Sequence, residues 1–254
     1  MGGKARQGAE IAQIIQRLDA KKHNTHSSKS MHSPYWEPFV GMCGVMRHIK
    51  APLRIGSDVH HDVIEMWKAV QTGWKPPRHI SKEKFNKLKY SKTVSPEKAF
   101  AGYALSFKGV YFHSYFDRDY DAEREKVIAC KRDIQDVCFF TGSYDEFQVP
   151  KQPAIFIYCD PPYDDGTHKD IGKGASFDSR RFWNWVREQS RYHTVVVSEK
   201  KAPKDFVSIW QSSDKIPQYL FLHKSLAQIK HQNYLFHTKQ RDDKISRWQG
   251  APRC

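Results

Sequence analysis

Ile155-Phe156-Ile157-Tyr158-Cys159-Asp160-Pro161-Pro162-Tyr163 is the stretch that decides the fold. Its first five residues are an unbroken apolar run, which suits a strand buried on both faces of a sheet. Two prolines follow. Each fixes its own φ and pushes the residue before it toward extended backbone, so the loop is stiff. A stiff loop at the carboxyl end of a buried strand presents an acid, a bare carbonyl and an aromatic ring in fixed geometry. The plainer alternative is a rigid turn with Tyr163 as a packing residue.

Working outward, the same kind of short apolar run, closed by Gly, Pro, Asp or Ser, recurs. It predicts strands at 35–40, 53–57, 137–141, 154–159, 194–198, 219–222 and 234–237. Amphipathic stretches between them predict helices at 9–18, 63–70, 122–134 and 179–192. In the first of these Ile11, Ile14, Ile15 and Leu18 share a face. Strand–helix alternation of this kind predicts an α/β sheet with right-handed crossovers.

Residues 72 to about 125 break the alternation. The first part, residues 71–108, holds Lys75, Arg78, Lys82, Lys84, Lys87, Lys89, Lys92, Lys98 and Lys108 against Glu83 and Glu97, with Trp74, Phe85, Tyr90, Phe100, Tyr103 and Phe107 interleaved. Cations among aromatics suit phosphate contact joined to base or sugar contact. A small helical subdomain with a solvated lysine face is the other reading. Residues 21–34 carry His23, His26 and His32, in a polar segment that reads as a linker before it reads as a metal loop. Residues 164–175 hold Gly166, Gly172 and Gly174 and read as a loop beside the Asp-Pro-Pro-Tyr turn.

The 254 residues suffice for one large domain or two small ones. A hydrophobic share of 39% with 13% aromatics argues against a disordered chain. The longest apolar runs fall far short of the roughly 20 residues a membrane span needs, and the Met1-Gly2-Gly3-Lys4 start opens no apolar signal region. Lys and Arg number 42 against 28 Asp and Glu, a formal net charge of +14, which favours a polyanionic partner. Five cysteines without a Cys-x-x-Cys pair argue against a disulfide framework or a structural zinc site and for reduced thiols in a cytoplasmic protein. No metal site is expected.

Two further acids stand at strand ends. Glu37-Pro38-Phe39-Val40-Gly41-Met42-Cys43-Gly44 follows the first strand, and its glycines allow close backbone approach to a ligand. It is not Gly-x-Gly-x-x-Gly, so no dinucleotide fingerprint is matched, and an ordinary tight turn is the alternative. Asp58 ends the second strand. An acid there commonly accepts hydrogen bonds from ribose hydroxyls; a helix N-cap is the alternative.

Taken together, Gly2-Gly3-Lys4, Glu37-Pro38-Phe39-x-Gly41, Asp58 and Asp160-Pro161-Pro162-Tyr163, in that order, resemble the Dam-like adenine-specific DNA methyltransferases. Ser198-Glu199-Lys200-Lys201-Ala202-Pro203-Lys204-Asp205-Phe206 is similar to a segment of phage-type members. The resemblance spans nearly the whole chain. It implies a Rossmann-like, seven-stranded class I methyltransferase sheet. Residues 1–71 and 126–254 would form the catalytic domain, and 72–125 an inserted, mostly helical target-recognition region. It implies S-adenosylmethionine as cofactor, with S-adenosylhomocysteine as product. Gly3, Lys4, Glu37, Pro38, Phe39, Gly41, Asp58, Asp160 and either Tyr144 or Asp145 would bind it. Asp160, Pro161, Pro162 and Tyr163 would carry catalysis on a flipped-out adenine. Lys75, Arg78, Lys82, Lys84, Lys87, Lys89 and Lys108 would contact double-stranded DNA, with a further net of five positive charges in residues 223–254. The protein would be a monomer that acts without a metal or a membrane. Related chemistry on RNA adenine or a cytosine amine, or a binding protein that has lost catalysis, are the rival readings. The chain departs from the family in lacking an aromatic before Gly2-Gly3-Lys4. It also has His223-Lys224-Ser225-Leu226-Ala227-Gln228 where a glycine-rich turn is expected.

Overall fold

The computed structural model describes residues 4, 6–25, 29–107, 110–116, 119–162, 177–215 and 217–228. Seven strands form one sheet: β1 Tyr35–Glu37, β2 Arg54–Asp58, β3 Val137–Thr141, β4 Phe156–Cys159, β5 Thr194–Glu199, β6 Phe206–Gln211 and β7 Tyr219–His223. Their order across the sheet is β3-β2-β1-β4-β5-β7-β6. The first five run parallel, and β7 lies antiparallel between β5 and β6. This is a seven-stranded, mixed, Rossmann-like α/β sheet.

Side chains alternate between the two faces, as pleating requires. Tyr35, Phe156, Tyr158 and Val196 join one core. The helices α1 Gly8–Lys22, α2 His61–Gln71 and α5 Asp121–Asp133 close over it. Trp36, Ile157, Cys159, Val195 and Val197 join the other, under Phe182, Trp183 and Val186 of α6 Ser179–Gln189. Burial on both faces explains why the central strands read as solid apolar runs. Arg54 starts β2 and is 5% exposed. Its guanidinium donates to the Met46, Ile49 and Asp133 carbonyls and pairs with Asp136, which ties the segment before β2 to the end of α5.

Five expected strands correspond to β1 to β5, and the expected strand at 219–222 is β7. β1 stops at Glu37 rather than at 40, because Pro38 has no N–H for the ladder. β6 was not anticipated. As an edge strand it is half-exposed, carries a bulge between Ser208 and Trp210, and lacks the solid apolar run of a central strand. The strand expected at 234–237 lies outside the described residues. All four expected helices form, as α1, α2, α5 and α6.

Residues 72–125 hold α3 Lys82–Tyr90 and α4 Pro96–Ala104. The Ser81 and Ser95 hydroxyls cap them by accepting from the N–H groups of Lys84 and Lys98, and Pro96 opens α4 where no N–H is needed. Their apolar side chains (Phe85, Ala99, Phe100, Ala104) enter the same core as Val63 and Trp67 of α2, so this segment is anchored on α2. α7 Lys224–Gln228 ends the described chain, and it occupies the stretch where a glycine-rich turn was expected. Cys43, Cys130 and Cys159 are free and buried.

Candidate active site

In this strand order the chain leaves β1 toward β2 on one side and β4 toward β5 on the other. That makes the gap between the carboxyl ends of β1 and β4 the switch point where open α/β sheets bind ligands. Glu37 ends β1 and Asp160 follows β4, so the two acids stand on either side of it.

Asp160 is held by Lys4. The ammonium lies 2.7 Å from Asp160 Oδ1, and the two side chains are 5% and 18% exposed. Lys4 is brought there by α1, whose first residue packs without space for a side chain. A Cβ on Gly8 would stand 1.8 Å from the Gly44 carbonyl oxygen. The Gly8 N–H donates to the Lys4 carbonyl at 2.6 Å, so that contact fixes the lysine's backbone.

Glu37 is buried, and the Tyr35 hydroxyl donates to its Oε2 at 3.0 Å. Burial pushes this carboxyl well above the usual range. The Asp160 and Asp58 charges add to that, and the Tyr35 hydroxyl and the Met46 N–H oppose it. Asp58 accepts from the Gly41 N–H at 3.0 Å and from the His60 N–H at 2.9 Å. Burial raises its carboxyl too, against the pull of the backbone N–H groups of His60, Gly41 and Val59. The N-cap alternative fails for Asp58, since His60 occupies the cap position of α2. Gly41 has φ +43°, a backbone that favours glycine, and its carbonyl accepts from Trp67 Nε1 at 2.8 Å. The glycine turn after β1 is thereby locked between Asp58 and α2.

Of the remaining expected cofactor residues, Phe39 and Tyr144 are brought together. Their ring centroids are 5.4 Å apart, and Phe177 and Phe182 complete the cluster. Tyr144 is buried, and burial pushes its phenol up to about 12. Asp145 is engaged elsewhere, 2.6 Å from the Ser143 hydroxyl and 2.5 Å from Arg181. Pro38 and Pro161 are buried and Pro162 is half-buried. Gly3, Tyr163 and Lys108 lie outside the described residues, as do most of residues 223–254.

One acid at the site was missed. Glu199 ends β5, within electrostatic reach of both Asp160 and Lys4. Burial raises its carboxyl to about 7, and the Asp160 charge adds to this. Lys4, the Lys200 charge and the Lys200 N–H, which donates at 2.6 Å, oppose it. The Ser198-Glu199 segment was legible as a motif. That its carboxyl feels the charges of Asp160 and Lys4 depends on β5 lying beside β4, with Cys159 opposite Val197.

Lys75, Arg78, Lys82, Lys84 and Lys87 are exposed and Lys89 is half-exposed. Lys84 pairs with Glu97 at 2.6 Å, which joins α3 to α4. Beside them Tyr90 is 78% exposed, and Phe107 and Phe116 are 43% and 44% exposed. In the histidine-rich segment the fully buried Asp19 accepts from the His32 and Ser33 N–H groups, which pins the chain ahead of β1. Among the described residues no group of three His, Cys, Asp or Glu could hold a metal, and no helix is long and apolar enough to cross a membrane.

No protein-family model and no curated protein matches the chain. Solved structures do. The rRNA methyltransferase aviRa from Streptomyces viridochromogenes shares 13% identity and a TM-score of 0.39, covering 88% of this chain and 87% of its own. SMU.472, complexed with SAH, shares 11% identity and a TM-score of 0.36, covering 87% of this chain and 53% of its own. TrmN from Thermus thermophilus shares 10% identity and a TM-score of 0.36, covering 85% of this chain and 48% of its own.

Proposed function

We propose that this chain transfers a methyl group from S-adenosylmethionine to the exocyclic N6 amine of an adenine flipped out of double-stranded DNA. The observation that carries the reading is Asp160-Pro161-Pro162 at the switch point of the sheet, with Glu37 across the gap and Lys4 on the Asp160 carboxylate. The donor set suits the cofactor. Asp58, on a locked turn, matches a ribose diol. Glu37 and Asp160 match the cationic groups of the methionine end, and Lys4 matches its carboxylate. Gly3, Pro38 and Gly41 would line that end, and Phe39 with Tyr144 or Asp145 the adenine end. When bound, S-adenosylmethionine supplies a methyl group made electrophilic by the attached sulfonium.

The chain's own part is positioning. The target amine is a poor nucleophile because its lone pair is delocalised into the purine ring. The Asp160 carboxylate and the Pro161 carbonyl accept its two N–H bonds, which draws the nitrogen toward tetrahedral geometry and turns its lone pair out of the ring plane. Lys4 fixes the carboxylate for that task. Burial of the surrounding groups strengthens such electrostatic alignment. Flipping costs a few kcal/mol, and stacking on Tyr163 would return roughly 1–3 kcal/mol. Residues 72–125 serve as the target-recognition region. Lys75, Arg78, Lys82, Lys84, Lys87, Lys89 and Lys108 take the phosphates, and exposed Tyr90, Phe107 and Phe116 add apolar contact.

Sequencing of methylated bases in DNA from cells expressing the protein tests the reading. N6-methyladenine in one recurring sequence context, absent when Asp160→Ala is expressed instead, is expected. Methylation confined to RNA or to cytosine would overturn it.

A further inference from the structure

The segment read as target recognition also reaches the cofactor side of the molecule. α4 docks on the start of α2 through Asp62. The carboxylate accepts from the Ser95 N–H at 2.8 Å and from the Tyr111 hydroxyl at 3.1 Å, and it pairs with Lys98 at 3.3 Å. Asp62 is 6% exposed, so this latch is internal. Above it His60, Tyr103 and Tyr111 form an aromatic step. His60 lies 4.2 Å from Tyr111 and 6.2 Å from Tyr103, and the two tyrosines are 5.0 Å apart. The His60 N–H is one of the donors that hold Asp58. The step therefore runs from α4 to the acid assigned to the ribose.

The two tyrosines differ in one respect. Tyr111 spends its hydroxyl on Asp62. Tyr103 is half-buried, and among the described residues its hydroxyl makes no hydrogen bond. The hydroxyl keeps access to solvent from the His60 step and is free to meet a ligand there. Burial first, and then the charge of Asp58, push the Tyr103 phenol above its ordinary range, so it stays a neutral donor near that carboxylate.

We propose that Tyr103 is a cofactor-binding residue, its hydroxyl meeting the ribose edge of the nucleoside beside Asp58. This rests on the S-adenosylmethionine reading above. Its consequence is that the nucleic-acid segment supplies one wall of the cofactor site. α4 carries Tyr103 on one side and is joined through Lys84 and Glu97 to the lysine face of α3 on the other. Cofactor and nucleic acid then bind to one unit, where any effect of one on the affinity for the other is reciprocal.

The test is calorimetric titration of the full chain with S-adenosylhomocysteine. Tyr103→Phe removes one hydroxyl and keeps the ring. It is expected to weaken binding roughly 3- to 10-fold, the range of a single hydrogen bond, with no change in melting temperature. The control Tyr111→Phe is expected to lower the melting temperature and keep the wild-type affinity. 2′,3′-Dideoxyadenosine, which lacks the ribose hydroxyls, is expected to compete equally well against the wild-type and Tyr103→Phe proteins. Wild-type affinity in Tyr103→Phe, or a loss of dideoxyadenosine affinity as large as that for S-adenosylhomocysteine, overturns the assignment. A wild-type chain that binds no S-adenosylhomocysteine overturns the underlying function itself.

Discussion

Lys4 is an ammonium almost out of solvent, bound to a carboxylate that has two further acids, Glu37 and Glu199, near it. Removing one partner of such a pair leaves the other charge uncompensated, which costs several kcal/mol at fully buried sites and less at this partly open one. Lys4→Met is therefore expected to lower the melting temperature and to weaken S-adenosylmethionine binding more than 10-fold, read by scanning fluorimetry and calorimetry. Unchanged affinity would detach Lys4 from the site. Glu199 makes a pH prediction. Its carboxyl is raised to about 7 in the folded chain from 4.5, so folding favours the protonated form. The stability it contributes is complete below about pH 4.5 and is lost as pH rises through about 7. Glu199→Gln keeps a neutral side chain at every pH. The melting temperature of the wild type relative to Glu199→Gln is thus expected to fall between pH 5 and pH 8. A constant difference would show that the carboxyl titrates normally. At this scale Asp160, Glu37 and Asp58 were legible because each closes an apolar run. Glu199 at the same gap was not, since 195 residues of chain separate it from Lys4.

At the scale of elements, α1 depends on one missing side chain. Gly8→Ala would drive a methyl into the Gly44 carbonyl, a backbone group that cannot rotate aside. Strain of this kind costs about 1–3 kcal/mol, and four residues from Lys4 it should also weaken cofactor binding. Denaturant unfolding read beside calorimetry checks both, and a variant as stable as wild type would contradict the packing. The lysine face of α3 is tested by Lys82→Ser, Lys84→Ser and Lys87→Ser together. Loss of three phosphate contacts is expected to reduce the slope of log affinity for DNA against log salt by about 2–3, with S-adenosylmethionine binding retained. An unchanged slope would place DNA elsewhere. The central strands were legible because burial on both faces leaves an unbroken apolar signature. α3 was hidden by its lysines and α4 by its shortness; the serine caps, with Pro96 at α4, mark their starts. β6 was hidden by its half-exposed position at the sheet edge and its bulge.

For the molecule as a whole, the parallel order β3-β2-β1-β4-β5 gathers residues far apart in sequence at one gap, while a net charge of +14 favours a polyanionic partner. The alternation of strands and helices made the sheet legible. The antiparallel insertion of β7 between β5 and β6 follows from pairing that no local pattern encodes. The proposed methyl transfer is read most directly by incubating the purified chain with S-adenosylmethionine carrying an isotopically labelled methyl group and either double-stranded DNA or RNA, then analysing the nucleosides. Label in N6-methyladenine from DNA, reduced by roughly 10²–10³-fold or more in Asp160→Ala while that variant still binds DNA, is the predicted result. Label in another nucleoside, label in RNA alone, or full activity in Asp160→Ala would contradict the account.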